Sequence, residues 1–206
     1  MTFQKCAVLL MSLVAQAVFS VEIVLARPLS DHDIEVLKGR ELIVEVSRDE
    51  GEGAAAASVF AAIDIAAPRS VIWALMVDCE KAHLFVADLH SCEVVEAGGD
   101  GAWDVRKHVI RYSRFLPQTE NVFRSDYAPY SEIRFQKAGG DLKIMEGVWR
   151  LSEIDHGAGS RLTYESRLAL GKPVPRPLIR RAVRGDVPKI LLSLRDASEA
   201  AAGDSN

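Results

Sequence analysis

LKIMEGVWRLSEI, residues 142–154, alternates with a period of two. Lys143, Met145, Gly147, Trp149 and Leu151 share one parity, and Leu142, Ile144, Glu146, Val148 and Arg150 share the other. Successive side chains of a β-strand point to opposite faces, so the run predicts a long strand with two unlike faces. The Met145–Trp149–Leu151 face is assigned inward, because its large apolar groups gain most from leaving water. Gly147 leaves room beside Trp149. Plain core packing is the simpler role for Trp149, and contact with a bound molecule is the sharper one.

Working outward, turn residues punctuate a series of similar runs. Cys92–Glu96 ends in Ala97-Gly98-Gly99-Asp100-Gly101, and Trp103–Phe115 is followed by Pro117. Thr119–Tyr127, Tyr130–Lys137, Leu142–Ile154 and Arg161–Leu170 come next, separated by Gly139-Gly140-Asp141 and Asp155-His156-Gly157. This is the pattern of an antiparallel meander. Upstream, Ala55–Ile65 predicts another strand. Pro68 opens a helix whose stripe is Val71, Ile72, Leu75 and Met76, with Trp73 beside it. Asp78–Leu89 predicts a second short helix and a loop. Downstream, Pro173, Pro175 and Pro177 form a stiff connector. A long helix then runs over Pro177–Ala202, with Val183, Val187 and Leu191 on its apolar side and a kink or break expected at Pro188.

The predicted class is α+β: a curved antiparallel sheet of about seven strands wrapped around a long C-terminal helix. A sheet curled that far leaves a space between itself and the helix, and such spaces hold small molecules. The proposed lining is Phe123, Tyr127, Ile133, Phe135, Met145, Trp149, Leu151, Tyr164 and Leu168 from the sheet, with Val183, Val187 and Leu191 from the helix. The Tyr164 hydroxyl has two candidate roles, a ligand carbonyl or a backbone group.

The N-terminus differs in kind. Lys5 precedes an apolar run from Cys6 to Val21, the outline of a secretory signal peptide. Cleavage after Ala17, Ser20 or Ala26 fits, and Ala26 is preferred because Arg27-Pro28 then begins a polar mature chain. The expected protein is therefore exported, to the periplasm. Residues 27–54 form an N-terminal extension with a helix capped at Ser30-Asp31 and a strand over Glu41–Ser47. Residues 55–200 form one ligand-binding domain, and 201–206 a disordered tail. No internal repeat and no second domain is found.

Of 206 residues, 49% are hydrophobic and 26% charged, an ordinary globular balance, and the net charge of -4 disfavours general nucleic-acid binding. Removing residues 1–26 takes one base, Lys5, and one acid, Glu22, and leaves that charge unchanged. Cys79 and Cys92 fit either a disulfide of an exported protein or two buried thiols. Spacing does not decide between them, and free thiols are the expectation. His32, His83, His90, His108 and His156 show no metal-ligand spacing, so no metal and no cofactor is implied.

The ordered set of motifs resembles a known family. Pro68-Arg69-Ser70-Val71-Ile72-Trp73-Ala74-Leu75-Met76-Val77-Asp78 is similar to the proline, helix, Trp, Asp segment of the START-like (helix-grip, SRPBCC) superfamily, nearest its polyketide cyclase and coenzyme Q-binding proteins. Ser91–Glu96, Glu146-Gly147-Val148-Trp149-Arg150-Leu151, Arg161–Tyr164, Val174-Pro175 and the helix from Pro188 to Glu199 resemble the segments that follow, so the likeness covers residues 60–199. One departure is the segment Leu84–His90, which lacks a proline that many relatives carry there. The resemblance implies a binder or carrier of a lipid or isoprenoid quinone. The alternative is an aromatase/cyclase acting on a polyketide-like substrate in the same cavity, which requires ionisable side chains deep inside it.

Charged clusters complete the reading. Arg106, Lys107, His108, Arg111 and Arg114 on one strand read as a solvated outer face, or more sharply as a basic rim for an anionic head group. Arg176, Arg180 and Arg184 recur every fourth residue and share a helix face, which suits either salt-screened solvent or anionic lipid. His83 and His90 are placed near the cavity mouth, where Asp78, Glu80, Asp88 and His83 are a candidate acid/base group, a role that depends on geometry.

Overall fold

The computed structural model describes residues 27–48, 56–111, 118–170 and 176–204; the side chains of 48, 170 and 176–184 are outside that description. The N-terminal apolar run read as a signal peptide and Arg114 therefore lie outside it, as do the side chains of Val183, Arg176, Arg180 and Arg184.

Eight strands form one antiparallel sheet: β1 (Ile43–Arg48), β2 (Ala56–Ile65), β3 (Leu89–Ala97), β4 (Trp103–Ile110), β5 (Thr119–Ala128), β6 (Glu132–Gly140), β7 (Leu142–Ile154) and β8 (Gly159–Leu170). Their order across the sheet is β1-β2-β8-β7-β6-β5-β4-β3. The meander from β3 to β8 folds as consecutive hairpins, and β2 joins its far edge by pairing with β8. The eighth strand beyond the expected seven is β1, which pairs with β2 from Ile43↔Ala62 to Arg48↔Ala57.

Helices α1 (Asp31–Lys38), α2 (Arg69–Met76) and α3 (Arg176–Gly203) complete the fold. Ser30 and Asp33 close a reciprocal capping box on α1, and Gly39 ends it. Leu37 of α1 packs with Phe60 and Ala62 on the outer face of β2, while Val59, Ala61, Ile63 and Ile65 face α3 on the inner side. Strand β2 is thus buried on both faces, which accounts for its nearly unbroken apolar sequence. The helix α3 is continuous through Pro188 and extends to Gly203, so neither a break at the proline nor a tail beginning at residue 201 is found. Glu199 ties its last turns to the N-terminal region, its two carboxylate oxygens accepting from Arg40 Nη2 and one of them also from the Ala66 N–H.

The outer faces of β6, β7, β8 and β2 carry cross-strand ion pairs. Glu132 bonds Arg150 at 3.0 Å, Arg150 reaches Glu165 at 2.5 Å, and Asp64 holds Arg161 through two bonds of 2.7 and 2.8 Å. Glu146 and Arg150 face outward as their parity requires, which keeps Met145 and Trp149 turned in.

A disulfide joins Cys79, just after α2, to Cys92 in β3, with Cα atoms 5.5 Å apart. The expectation of free thiols is corrected. The chain returns from α2 through a short 3-10 turn (Ala82–Leu84) and enters β3 beside its own starting point, which puts the two cysteines at bonding distance.

Candidate functional site

A partly open cavity of about 390 Å³ lies between the inner face of the sheet, α2 and α3. Its wall takes one large ring from each successive strand. The Trp149 (β7) and Tyr164 (β8) centroids are 4.1 Å apart, Tyr164 stacks on Phe135 (β6) at 6.1 Å, and Phe135 meets Phe123 (β5) at 6.4 Å. Phe123 then meets the ring of His108 (β4) edge-on at 4.9 Å. Burial pushes the Tyr164 hydroxyl up to about 12, so it stays neutral at any physiological pH.

Of the proposed lining residues, Phe123, Tyr127, Ile133, Phe135, Met145, Trp149, Tyr164, Leu168 and Val187 border this cavity. Leu151 and Leu191 do not. Both are buried in the core cluster around Ile72, Ile63 and Leu162 and support the wall from behind. Among the described side chains of α3, Asp186, Val187, Ile190 and Leu194 border it. From the segment after α2 come Phe85, Val86 and Ala87, within the stretch that lacks the expected proline.

Leu142 also reaches the cavity, although its parity puts it on the outer face. The pairing of β7 with β8 explains this. Leu142 opposes Leu170 while Ile144 opposes Ala169, so one extra residue, Lys143, is accommodated by a bulge. A one-residue slip exchanges the faces, and the apolar leucine replaces the lysine inside.

The largest correction concerns β4. Arg106 and Asp104 are buried, and Arg106 and His108 border the cavity, so this part of the basic strand is neither a solvated face nor an exposed rim. The outward residues are Trp103, Val105, Lys107 and Val109. Lys107 pairs with Glu93 at 2.9 Å, and Trp103 lies under the Arg124 guanidinium at 4.1 Å. Arg106 Nε donates to Asp104 Oδ2 at 2.8 Å and Nη1 to the Met76 carbonyl at 3.2 Å, while Nη2 donates to the Val77 carbonyl. Those carbonyls belong to the last residue and C-cap of α2, where a cation complements the negative end of the helix. The charge of Arg106 is therefore consumed by Asp104 and the helix end.

His108 is depressed to about 4, first by burial and then by the nearby Arg106 charge, so its imidazole is neutral at pH 7. Burial likewise raises the Tyr127 phenol, whose ring lies under Arg106 at 5.9 Å. Burial also raises the Asp186 carboxyl, with Lys189 opposing the shift and Asp88 adding to it. Among the described residues, His108 Nε2, Asn121 Oδ1 and Tyr127 Oη are buried without a hydrogen-bond partner.

The proposed acid/base group does not assemble. His83 Nδ1 lies 2.7 Å from the Glu80 carbonyl oxygen, His90 contacts Arg111 at 3.0 Å, and Asp78 pairs with Lys81 at 3.2 Å. All four of its members, and His90 beside them, are absent from the cavity lining. Among the described residues no cluster of three or more His, Cys, Asp or Glu side chains forms a metal site. A second hollow of about 760 Å³ lies on the other side of the sheet, and its lining mixes apolar side chains with charged groups such as Arg27, Glu146, Glu165 and Arg167. The inner cavity, walled by stacked rings and with fewer charged groups, suits an apolar molecule better and is the candidate site.

A sheet gripping a C-terminal helix over an apolar cavity defines the START-like helix-grip class. The chain belongs to the polyketide cyclase / dehydrase and lipid transport family, whose model matches residues 65–195. No curated protein sequence matches it. Among solved structures, the STAR-related lipid transfer protein from Xanthomonas axonopodis superposes with a TM-score of 0.63 at 16% identity, covering 76% of this chain and 93% of that one. A protein from Thermus thermophilus gives 0.58 at 22% identity, covering 72% and 99%. The Zhui aromatase/cyclase from a Streptomyces species gives 0.57 at 16% identity, covering 72% and 94%. At these identities the likeness is one of fold.

Proposed function

We propose that the protein is an exported binder or carrier of a hydrophobic small molecule, a lipid or an isoprenoid quinone. The observation that carries this reading is the cavity of about 390 Å³ walled by Trp149, Tyr164, Phe135 and Phe123. Burying an apolar molecule there releases about 25 cal/mol for each Å² removed from water. Support comes from the lipid-transport element of the family description and from the similar lipid transfer protein of Xanthomonas axonopodis. Export is supported by the signal-like run at residues 6–21 and by the Cys79–Cys92 disulfide, a bond that persists in oxidising compartments. The backbone of α3 carries Arg176, Arg180 and Arg184 one turn apart, a spacing suited to anionic lipid during loading.

Native mass spectrometry of the protein purified from its source tests the proposal. The expected result is a co-purifying lipid or quinone on a chain that begins at Arg27. A ligand-free protein whose thermal stability is unmoved by quinones and lipids would sink it.

A second reading, an aromatase/cyclase, is favoured by one observation. Arg106 and His108 are ionisable groups inside the cavity rather than at its rim. Turnover of a polyketide-like chain that is lost in His108→Phe would establish it.

A further inference from the structure

We infer that the cavity seats an apolar molecule bearing a neutral, hydrogen-bonding oxygen group, received by His108 and Asn121, and that it discriminates against an anionic head. The inference rests on the binding function proposed above and narrows the class of ligand.

The lining is unevenly polar. The β7, β8 and α3 sides are largely apolar, whereas β4 and β5 contribute Arg106, His108, Asn121, Ser125 and Tyr127. His108 and Asn121 are directly opposed in the β4–β5 ladder, so the imidazole and the amide are neighbours on one face. Both contain a buried polar atom without a partner among the described residues, Nε2 of His108 and Oδ1 of Asn121. A buried polar group left unpaired is costly, and such groups are usually satisfied by protein, water or ligand. Those two atoms are thus available to a guest. Together an imidazole and a carboxamide offer a donor and an acceptor, the complement of a hydroxyl or a ketone.

Charge separates this ligand class from acids and phosphates. The guanidinium of Arg106 is already bonded to Asp104 and to two carbonyls at the end of α2. The imidazole of His108 is uncharged at neutral pH. The α3 side of the cavity contributes a carboxyl, Asp186, and no cation among the described side chains. An anionic head entering here leaves water without gaining a free positive partner, a loss that hydrogen bonds to neutral groups do not recover.

The test compares dodecanol, dodecane and dodecanoate on the delipidated full-length protein at neutral pH, with affinities read from ligand-dependent thermal stabilisation. Dodecanol is expected to bind about tenfold more tightly than either of the others, as one or two net hydrogen bonds provide. Asn121→Leu and His108→Phe are each expected to remove most of the ratio of dodecanol to dodecane affinity. If dodecanoate matches or exceeds dodecanol, or if dodecane equals it, the polar subsite is refuted while an apolar carrier survives. If none of the three binds, the carrier reading falls with it. The wild-type series is decisive without the variants, so a substitution that impairs folding does not blunt the test.

Discussion

Replacing Arg106 with methionine tests how the polar wall is held. Arg106 is 5% exposed and bonds three acceptors, Asp104 Oδ2 and the carbonyls of Met76 and Val77. Asp104 is 7% exposed, and its other oxygen has no partner among the described residues. In Arg106→Met the carboxylate stays buried and loses its cation, and the end of α2 loses two donors. Breaking one side of a buried pair costs about 3–5 kcal/mol, or roughly 6–20 °C in Tm at about 2–4 °C per kcal/mol for a domain of this size. Asp104→Leu/Arg106→Met removes the stranded charge and leaves only the helix-end carbonyls unsatisfied, a cost of about 2 kcal/mol. The double variant should therefore be more stable than Arg106→Met, with a coupling of about 1–3 kcal/mol in a urea-unfolding cycle. Additive effects, or a loss below about 1 kcal/mol in the single variant, would show that water reaches the pair and that α2 is held without it.

The pH dependence of stability should contain a signature of His108. Its folded value of about 4 lies below the unfolded value of 6.5, so between these the unfolded chain binds more protons and stability falls as pH falls. The full effect is roughly 3 kcal/mol, so in urea unfolding wild type should lose stability relative to His108→Phe by up to that amount from pH 7 toward pH 4; a relative stability that does not change with pH would disprove the buried neutral imidazole. Gly147→Ala places a Cβ 2.3 Å from the Glu165 carbonyl oxygen and 2.6 Å from Phe135 Cζ. Because the nearest neighbour is backbone that cannot yield, a loss of about 3 kcal/mol in urea unfolding is expected, and a loss under about 1 kcal/mol would show that β7 and β8 can separate there. Cys79→Ser opens a link of sequence separation 13 and should cost about 3 kcal/mol. A thiol reductant should lower the Tm of the wild type by a similar amount and leave that of the variant unchanged.

The architecture was legible because its signals were periodic. The alternation of residues 145–151 placed Met145 and Trp149 inward, and the turns at Gly98–Gly101 and Asp155–Gly157 marked the hairpins. What escaped depended on pairing between distant segments. The bulge at Lys143 is defined against Ala169 and Leu170 of another strand, so nothing local announces that Leu142 enters the cavity. Strand β4 is inverted relative to hydropathy: Trp103, Val105 and Val109 face out, while Asp104, Arg106 and His108 face in. Counting its bases suggested solvent, but Asp104 and Arg106 share a parity and neutralise each other, a pattern that was available in the sequence. The disulfide depended on how the chain returns to β3 after α2. Leu151 and Leu191 have the right parity for the inner side, but position along the strand and around the helix decides whether such a residue meets the cavity or the core.

Why a cavity exists at all follows from where α3 rests. Its close neighbours are β1, β2 and α2, not the middle of the sheet. Strand β2 contributes Ala61 to that contact beside Val59 and Ile63, and so small a residue lets the helix approach. Across β4–β7 the wall instead consists of rings and a bulged strand, and the helix passes over them without filling the space. Close packing at one end of the helix-sheet interface thus leaves a gap at the other. In a folded protein such a gap forfeits dispersion contacts unless something occupies it. Filling this one with more side chain would have been the simplest repair. The chain instead braces its far side with a buried ion pair at the end of α2 and a disulfide between the α2 exit and β3, two links that fix the α2 exit against β3 and β4 without filling the space beside them. That arrangement is what a container requires, and it places the supporting chemistry beside the polar wall, where a ligand's oxygen would be read.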